Sequence, residues 1–211
     1  MIEATRIIAV RHGETAWNVD TRLQGQLDVP LNDTGREQAR RAARALAHDP
    51  PDAIYSSDLS RAFETAQAAA AVLGRPITTD TGLRERCFGL WEGHTSAESE
   101  QWRVRNPEFG PEQGETLQGF FDRVVATATR LAAAHPGQTV LLVAHGGVLD
   151  CLYRAASRMA LNAPRTWELP NTGINRLLYT GNGFTLVGWA DVHHLDGEAL
   201  DESNDATARF A

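Results

Sequence analysis

The chain has 211 residues, two cysteines and a formal net charge of -7, and 22% of its residues are charged. That length suits one α/β domain with a well-buried core, and no Ser/Gly/Pro-rich linker interrupts it, so residues 1–211 read as a single domain. The acidity argues against nonspecific nucleic-acid binding, the lack of a leader pattern or a membrane-length apolar run predicts a cytoplasmic protein with no membrane partner, and the spacing of Cys87 and Cys151 predicts free thiols.

Ile7-Ile8-Ala9-Val10 is a short apolar run, rich in β-branched residues and too brief for a helix, which predicts a buried parallel strand. Arg11-His12-Gly13-Glu14-Thr15 follows at its carboxyl end, the end where open α/β sheets bind ligands. Ala16-Trp17-Asn18 and residues 22–31, punctuated by Gly25 and Pro30, read as an ordered loop over that end. Thr34-Gly35-Arg36-Glu37 has the form of a capping box, and the Ala/Arg-rich residues 37–47 continue it as a helix. Residues 53–56 predict a second buried strand. Ser57 and Asp58 then supply N-cap residues for a helix running to Leu73 and closed by Gly74, which sets Arg61 in its first turn, on the same rim as His12.

Residues 76–79 predict another strand, and Leu83-Arg84-Glu85 opens a second loop that continues through Phe88, Gly89, Trp91 and Gly93. Residues 95–116 suggest short helices covering the site. Residues 117–134 read as an amphipathic helix with Phe120, Phe121, Val124, Val125 and Leu131 near one stripe. Residues 139–143 form the clearest buried strand, after which Gly146-Gly147 turns into a helix over 148–156 and leaves His145 at the strand's end. A hairpin over 173–179 and 184–189 follows, and the acidic tail after Glu198 should fray. Alternating strands and helices predict an α/β fold, a three-layer sandwich with a mainly parallel central sheet flanked by helices and the hairpin as an edge. His193-His194 on an extended segment would face opposite ways and make a solvated pair rather than a metal site.

A lone Arg-His pair at a strand end could simply face water. Here Arg11, His12, Arg61 and His145 all follow strands, so the sheet can gather two histidines and two arginines on one rim, with Glu85 near them. That is the inventory needed to capture a phosphoryl group, attack it and protonate what leaves. On an acidic protein, arginines at loop tips are the natural place for an anionic substrate.

These stretches, in this order, resemble the histidine phosphatase superfamily with its phosphoglycerate mutase-like fold. The likeness covers Arg11-His12-Gly13-Glu14-Thr15 with Trp17-Asn18, Arg22-Leu23-Gln24-Gly25, Ser57 to Ala62 with Thr65-Ala66, Leu83-Arg84-Glu85 with Phe88-Gly89 and Trp91-Glu92-Gly93, Gly114-Glu115-Thr116, and Ala144-His145-Gly146-Gly147. It implies that His12 is a nucleophile forming a phosphohistidine, with the Gly13 carbonyl fixing its tautomer. Arg11, Arg61 and His145 would hold phosphoryl oxygens, and Glu85 would act as general acid and then base, its pKa raised by nearby phosphate. Alternatively Glu85 only pairs with Arg84 or Arg86. Gly13, Asn18, Gln24, Gly25 and Gly146 would contact phosphate or substrate. No metal and no cofactor are required, because arginines supply the charge neutralisation.

Mutases of this family that use a bisphosphoglycerate primer carry a longer insertion between the acid and the second histidine, and a Gly-Trp pair where Gln24-Gly25-Gln26 stands. The short segment here, with Arg84, Arg86, Arg103 and Arg105 as its basic residues, favours a phosphatase of small organic phosphate esters. A mutase is the alternative, and a phospho-ligand binding protein without chemistry is a third reading. Trp17, Leu23, Phe88, Trp91, Trp102 and Phe109 would form an apolar lid that does not choose among phosphate monoesters. The hairpin edge could pair across a homodimer.

Overall fold

The structure is a computed structural model that describes residues 3–95, 97–98 and 113–195. Six strands form one sheet: β1 (Thr5–Arg11), β2 (Ala53–Ser56), β3 (Ile77–Thr79), β4 (Thr139–Ala144), β5 (Ile174–Thr180) and β6 (Gly183–Asp191), in the order β3-β2-β4-β1-β5-β6. The β3-β2, β2-β4 and β4-β1 pairs are parallel, whereas β1-β5 and β5-β6 are antiparallel. The hairpin is thus present, and its first strand lies inside the sheet beside β1 while β6 is the edge.

The helices are α1 (Ala16–Val19), α2 (Asp33–Leu46), α3 (Ser60–Leu73), α4 (Leu117–Ala133) and α5 (Gly146–Ser157). Alternation along β1 and β4 splits the core in two. Ile7, Ala9, Val140 and Leu142 face α4 and α5 and pack with Phe120, Val124, Leu149 and Leu152. Ile8, Val10, Leu141 and Val143 face α2 and α3 and pack with Ala43, Leu46, Ala62, Ala66 and Ala69. β4 is buried at every residue, as a strand covered on both faces must be. On α4 the buried positions include Phe120, Val124 and Leu131, while Phe121 and Val125 are only half-buried.

Several local readings need correction. The cap of α2 is Asn32, whose side chain accepts the Gly35 N–H, two positions before Thr34. Asn32 wins because it can satisfy an orphan donor of the first turn while its own backbone stays extended. The capping box sits instead at Thr15 and Asn18, making a one-turn helix where an irregular loop was expected. Helix α3 is preceded by Leu59 and has no side-chain cap at that position. Ser57 and Asp58 serve other partners, and Asp28 reaches across to hold the Ser60 N–H and hydroxyl at 2.7 and 2.6 Å. Helix α5 begins at Gly146, directly after His145. His193 and His194 lie on a 3₁₀ turn (His193–Leu195), not an extended segment, with His193 bonded to Asp191. Most of the lid expected over residues 95–116, with Trp102, Arg103, Arg105 and Phe109, and the tail after Glu198 lie outside the described residues. Cys87 and Cys151 are both free thiols.

Candidate active site

Parallel pairing of β1 with β4 aligns Arg11 with Ala144, and the His12 N–H donates to the Ala144 carbonyl at 2.9 Å. The next residue on each strand is therefore a histidine at the same edge. The two rings meet edge to face, with centroids 5.3 Å apart.

His12 is fixed from several sides. Its Nδ1 lies 2.7 Å from the Gly13 carbonyl, Asn171 donates to its carbonyl at 2.9 Å, and the Gly13 N–H donates to Thr65 Oγ1 at 3.0 Å. A carbonyl can only accept, so Nδ1 carries the proton and Nε2 carries the lone pair. Burial, then the charges of Arg61 and Arg11, hold the His12 pKa well below 6.5, with the Gly13 bond pulling weakly the other way. The ring is neutral at physiological pH, with a lone pair on Nε2.

His145 is fully buried, and its Nε2 lies 2.9 Å from Ser57 Oγ. Burial first, then Arg61, lowers its pKa well below 6.5 as well. Arg61, in the first turn of α3, is completely enclosed. Its Nη1 and Nη2 donate to the carbonyls of Leu27 and Gly25 at 2.8 and 2.7 Å. Arg11 Nη1 donates to the Leu169 carbonyl at 2.6 Å. These bonds fix both forks, and the Nε–H of each arginine is buried with no partner among the described residues. Burial pulls the Arg61 pKa down to about 10, so it still carries its charge at neutral pH. Two fixed cations with unpartnered donors beside a neutral imidazole make an anion site.

Glu85 is buried against the start of α5. One carboxylate oxygen accepts the Arg86 N–H at 2.8 Å and the other accepts the Gly147 N–H at 3.0 Å. A Cβ at position 147 would collide with the Glu85 carboxylate, so a larger residue there would displace it. Arg84 does not neutralise Glu85: it forms a two-pronged pair with Asp58 at 2.7 and 2.5 Å. The Glu85 backbone is held by Gln26 Nε2 at 3.1 Å and Arg123 Nη2 at 3.2 Å. Glu92 joins the two loops by accepting the N–H groups of Gln26 and Phe88, each at 3.0 Å.

One cleft gathers Arg11, His12, Arg61 and Glu85 with Asn18, Gln24, Gly25 and Gly146. The carbonyl oxygens of Asn18 and Gln24 accept from Thr15, which leaves their amide N–H groups as the ends available to a ligand. Gly13 and His145 stand behind this lining. Gly13 acts through His12, its N–H and carbonyl both being engaged. Of the expected lid, Trp17, Leu23 and Phe88 line the cleft, and Trp91 packs beneath Leu23 and Phe88.

Sequence reasoning missed Ser57 as a partner of His145, Asn171 behind His12, and Arg123 behind Glu85. Ser57 was visible in a quoted motif but was read as a cap. Asn171 sits in a Pro-Asn-Thr-Gly run that signals only a turn, and Arg123 looks like any charge on an amphipathic helix. Among the described residues no group of three or more His, Cys, Asp or Glu could hold a metal, and no helix is long and apolar enough to cross a membrane.

The fold and the site together define a class of α/β protein with two histidines and two arginines gathered at the carboxyl edge of its sheet, and comparison with known proteins agrees. The chain belongs to the histidine phosphatase superfamily (branch 1), whose family model matches residues 7–192. It is 38% identical over 207 residues to phosphoglycerate mutase-like protein 4 of Arabidopsis thaliana, covering 92% of this chain and 89% of that one. It is 35% identical over 210 residues to a probable phosphoglycerate mutase of Cronobacter sakazakii, covering 93% and 98%. Among solved structures, a mycobacterial glucosyl-3-phosphoglycerate phosphatase superposes with a TM-score of 0.77 at 32% identity, covering 87% of this chain and 98% of that one. The protein is an enzyme of this superfamily, and its relatives carry both phosphatase and mutase names.

Proposed function

We propose that this protein is a metal-independent phosphatase that hydrolyses small organic phosphate monoesters through a phosphohistidine on His12. The observation that carries the reading is the pairing of a neutral, tautomer-locked His12 with two buried guanidinium groups whose Nε–H donors lack partners. A phosphoryl group on that floor meets the nucleophile and the cations at once.

In the first half-reaction Nε2 forms a bond to phosphorus as the bond to the ester oxygen breaks. Arg11 and Arg61 stabilise the charge on the phosphoryl oxygens, and His145 backs His12 across the floor. Glu85 in its protonated form gives its proton to the leaving alkoxide, which departs as an alcohol. In the second half-reaction the Glu85 carboxylate takes a proton from water, whose oxygen bonds to phosphorus while the P–N bond breaks. Inorganic phosphate leaves and His12 is restored. The arginines act by fixed electrostatics, which costs no reorganisation at the moment of reaction.

A second reading, a phosphoglycerate mutase, is favoured by the mutase names that the Arabidopsis and Cronobacter relatives carry. The deciding experiment follows phosphate release from a panel of monoesters without added metal, with interconversion of 3-phosphoglycerate and 2-phosphoglycerate, primed by 2,3-bisphosphoglycerate, measured in parallel. Release abolished by His12→Ala supports the phosphatase; efficient interconversion with little free phosphate supports the mutase. Absence of both activities and of a labelled phosphoenzyme would point to a binding protein.

A further inference from the structure

One ring nitrogen of His145 is left unused by the contacts described above. Nε2 meets Ser57 Oγ, while Nδ1 is buried with no hydrogen-bond partner among the described residues. Burial keeps the ring neutral, so a single proton has to be placed on one of the two nitrogens. Ser57 decides where it goes. This side chain is fully buried, its oxygen accepts the Leu59 N–H at 3.3 Å, and the acceptor that its own hydroxyl hydrogen meets among the described residues is His145 Nε2. If Nε2 carried the proton and donated to Ser57, the hydroxyl hydrogen would be buried without an acceptor, which is costly. With Ser57 as the donor, Nε2 accepts and the ring proton sits on Nδ1.

The start of α5 agrees. His145 is its N-cap residue, a position where a side-chain acceptor ordinarily takes an N–H of the first turn, yet it makes no such bond. The Gly147 N–H goes to Glu85 instead, and a protonated Nδ1 could not accept it. Topology then sets the direction of the Nδ1–H. β4 lies between β2 and β1, and the two nitrogens of an imidazole lie on opposite sides of the ring. Ser57 turns Nε2 to the β2 side, so Nδ1 is turned to the β1 side, where His12 stands with its ring centre 5.3 Å away. At the same rim Arg11 Nε and Arg61 Nε are also buried without a partner among the described residues. Three unused N–H donors thus stand around the His12 ring, and a phosphoryl group in transfer spreads its charge over three equatorial oxygens.

We propose that Ser57 is a positioning residue that holds His145 as the Nδ1–H tautomer, so that the second histidine offers a phosphoryl oxygen a neutral N–H donor rather than a lone pair. A lone pair turned to that oxygen would repel it, so the tautomer decides whether His145 helps or hinders the transfer. The inference rests on the phosphohistidine reading above and goes beyond it in naming the donor atom and the residue that sets it.

The test reads the His145 ring directly in nitrogen-15-labelled protein at pH 7.5, where two-bond proton–nitrogen correlations tell a protonated ring nitrogen from a bare one and Nδ1 from Nε2. The spectrum of His145→Gln assigns the signals. The wild type should show Nδ1–H with a bare Nε2, and the Nδ1–H signal should move when orthovanadate, a stand-in for the phosphoryl group in transfer, is added. Ser57→Ala should admit the Nε2–H form and raise the inhibition constant of orthovanadate about five- to tenfold. A wild-type ring protonated on Nε2 overturns the assignment, as does a variant in which the proton stays on Nδ1 or vanadate binds as before. If Ser57→Ala does not fold, the wild-type spectrum with and without vanadate decides alone. The spectrum needs no turnover. Failure to release phosphate from any monoester and to form a phosphoenzyme therefore sinks the phosphohistidine reading itself, whereas turnover with the proton on Nε2 sinks only the role of Ser57.

Discussion

Ser57 Oγ lies 2.9 Å from His145 Nε2, joining the end of β2 to the end of β4 beside His12. The same hydroxyl oxygen accepts the Leu59 N–H at 3.3 Å just ahead of α3, so one side chain ties the second histidine to the helix that carries Arg61. Removing it in Ser57→Ala leaves the His145 ring free to turn. One buried hydrogen bond is worth about 1 kcal/mol, so kcat for p-nitrophenyl phosphate should fall about five- to tenfold with little change in KM. An unchanged kcat in steady-state assays would show that the hydroxyl does not orient the ring.

Stability should depend on pH through the two site histidines. Burial, aided by the neighbouring guanidinium groups, holds both pKa values well below the ordinary 6.5. Below that value the unfolded chain takes up protons that the folded chain refuses, so acid favours unfolding. Their contribution is intact above about pH 6.5 and declines as pH falls from there toward the folded values. Carboxylates titrate mostly lower, near 4, which separates the two effects. The urea midpoint should drop between pH 7.5 and 5.5, and a His12→Asn, His145→Asn double variant should show a flatter profile. Equal slopes in the two proteins would contradict the buried neutral state.

Glu85 is expected to protonate the leaving oxygen. Glu85→Gln should slow hydrolysis of an alkyl phosphate by about a hundredfold or more, while p-nitrophenyl phosphate, whose leaving group needs little protonation, loses far less. Matched losses on both substrates count against Glu85 as the acid and favour a purely structural carboxylate.

Arg123 donates to the carbonyls of Gly82, Arg84 and Glu85 and grips both oxygens of Glu115. Arg123→Met should therefore loosen the whole loop that presents the acid. A loss of about 2 kcal/mol in urea unfolding is expected, from several hydrogen bonds and one half-buried ion pair. Activity on alkyl phosphates should fall more than activity on p-nitrophenyl phosphate, since the acid is what shifts. A stable variant with unaltered leaving-group dependence would remove Arg123 from this role.

The sheet and its main helices were legible because their signals are periodic: β4 is apolar throughout, and α4 repeats its buried face every three to four residues. The gathering of the cleft was legible through residue type at and after strand ends, which singled out Arg11, His12, Arg61 and Glu85 in its lining and His145 just behind it. The supporting contacts were not, because they depend on which loops touch. Nothing local distinguishes Ser57 as a cap from Ser57 as a histidine partner, and the choice is made by β2 lying beside β4. Asn32 was passed over for Thr34 for a related reason: two capping residues stood two positions apart, and Glu14, which accepts the Asn32 side-chain N–H at 2.7 Å and the Asn32 backbone N–H at 3.0 Å through its carbonyl, anchors the earlier one.

β1 is the first strand of the chain and yet sits in the middle of the sheet, between β4 and β5. Both of its partners, Thr139–Ala144 and Ile174–Thr180, are made late in synthesis. An emerging chain therefore carries Ile7 to Val10 with no ladder to join until most of the protein has left the ribosome, a long-range pairing of the kind that slows folding and invites association with chaperones. Because His12 meets His145 only when β1 pairs with β4, the two histidines are brought together late, after more than half of the chain has been made.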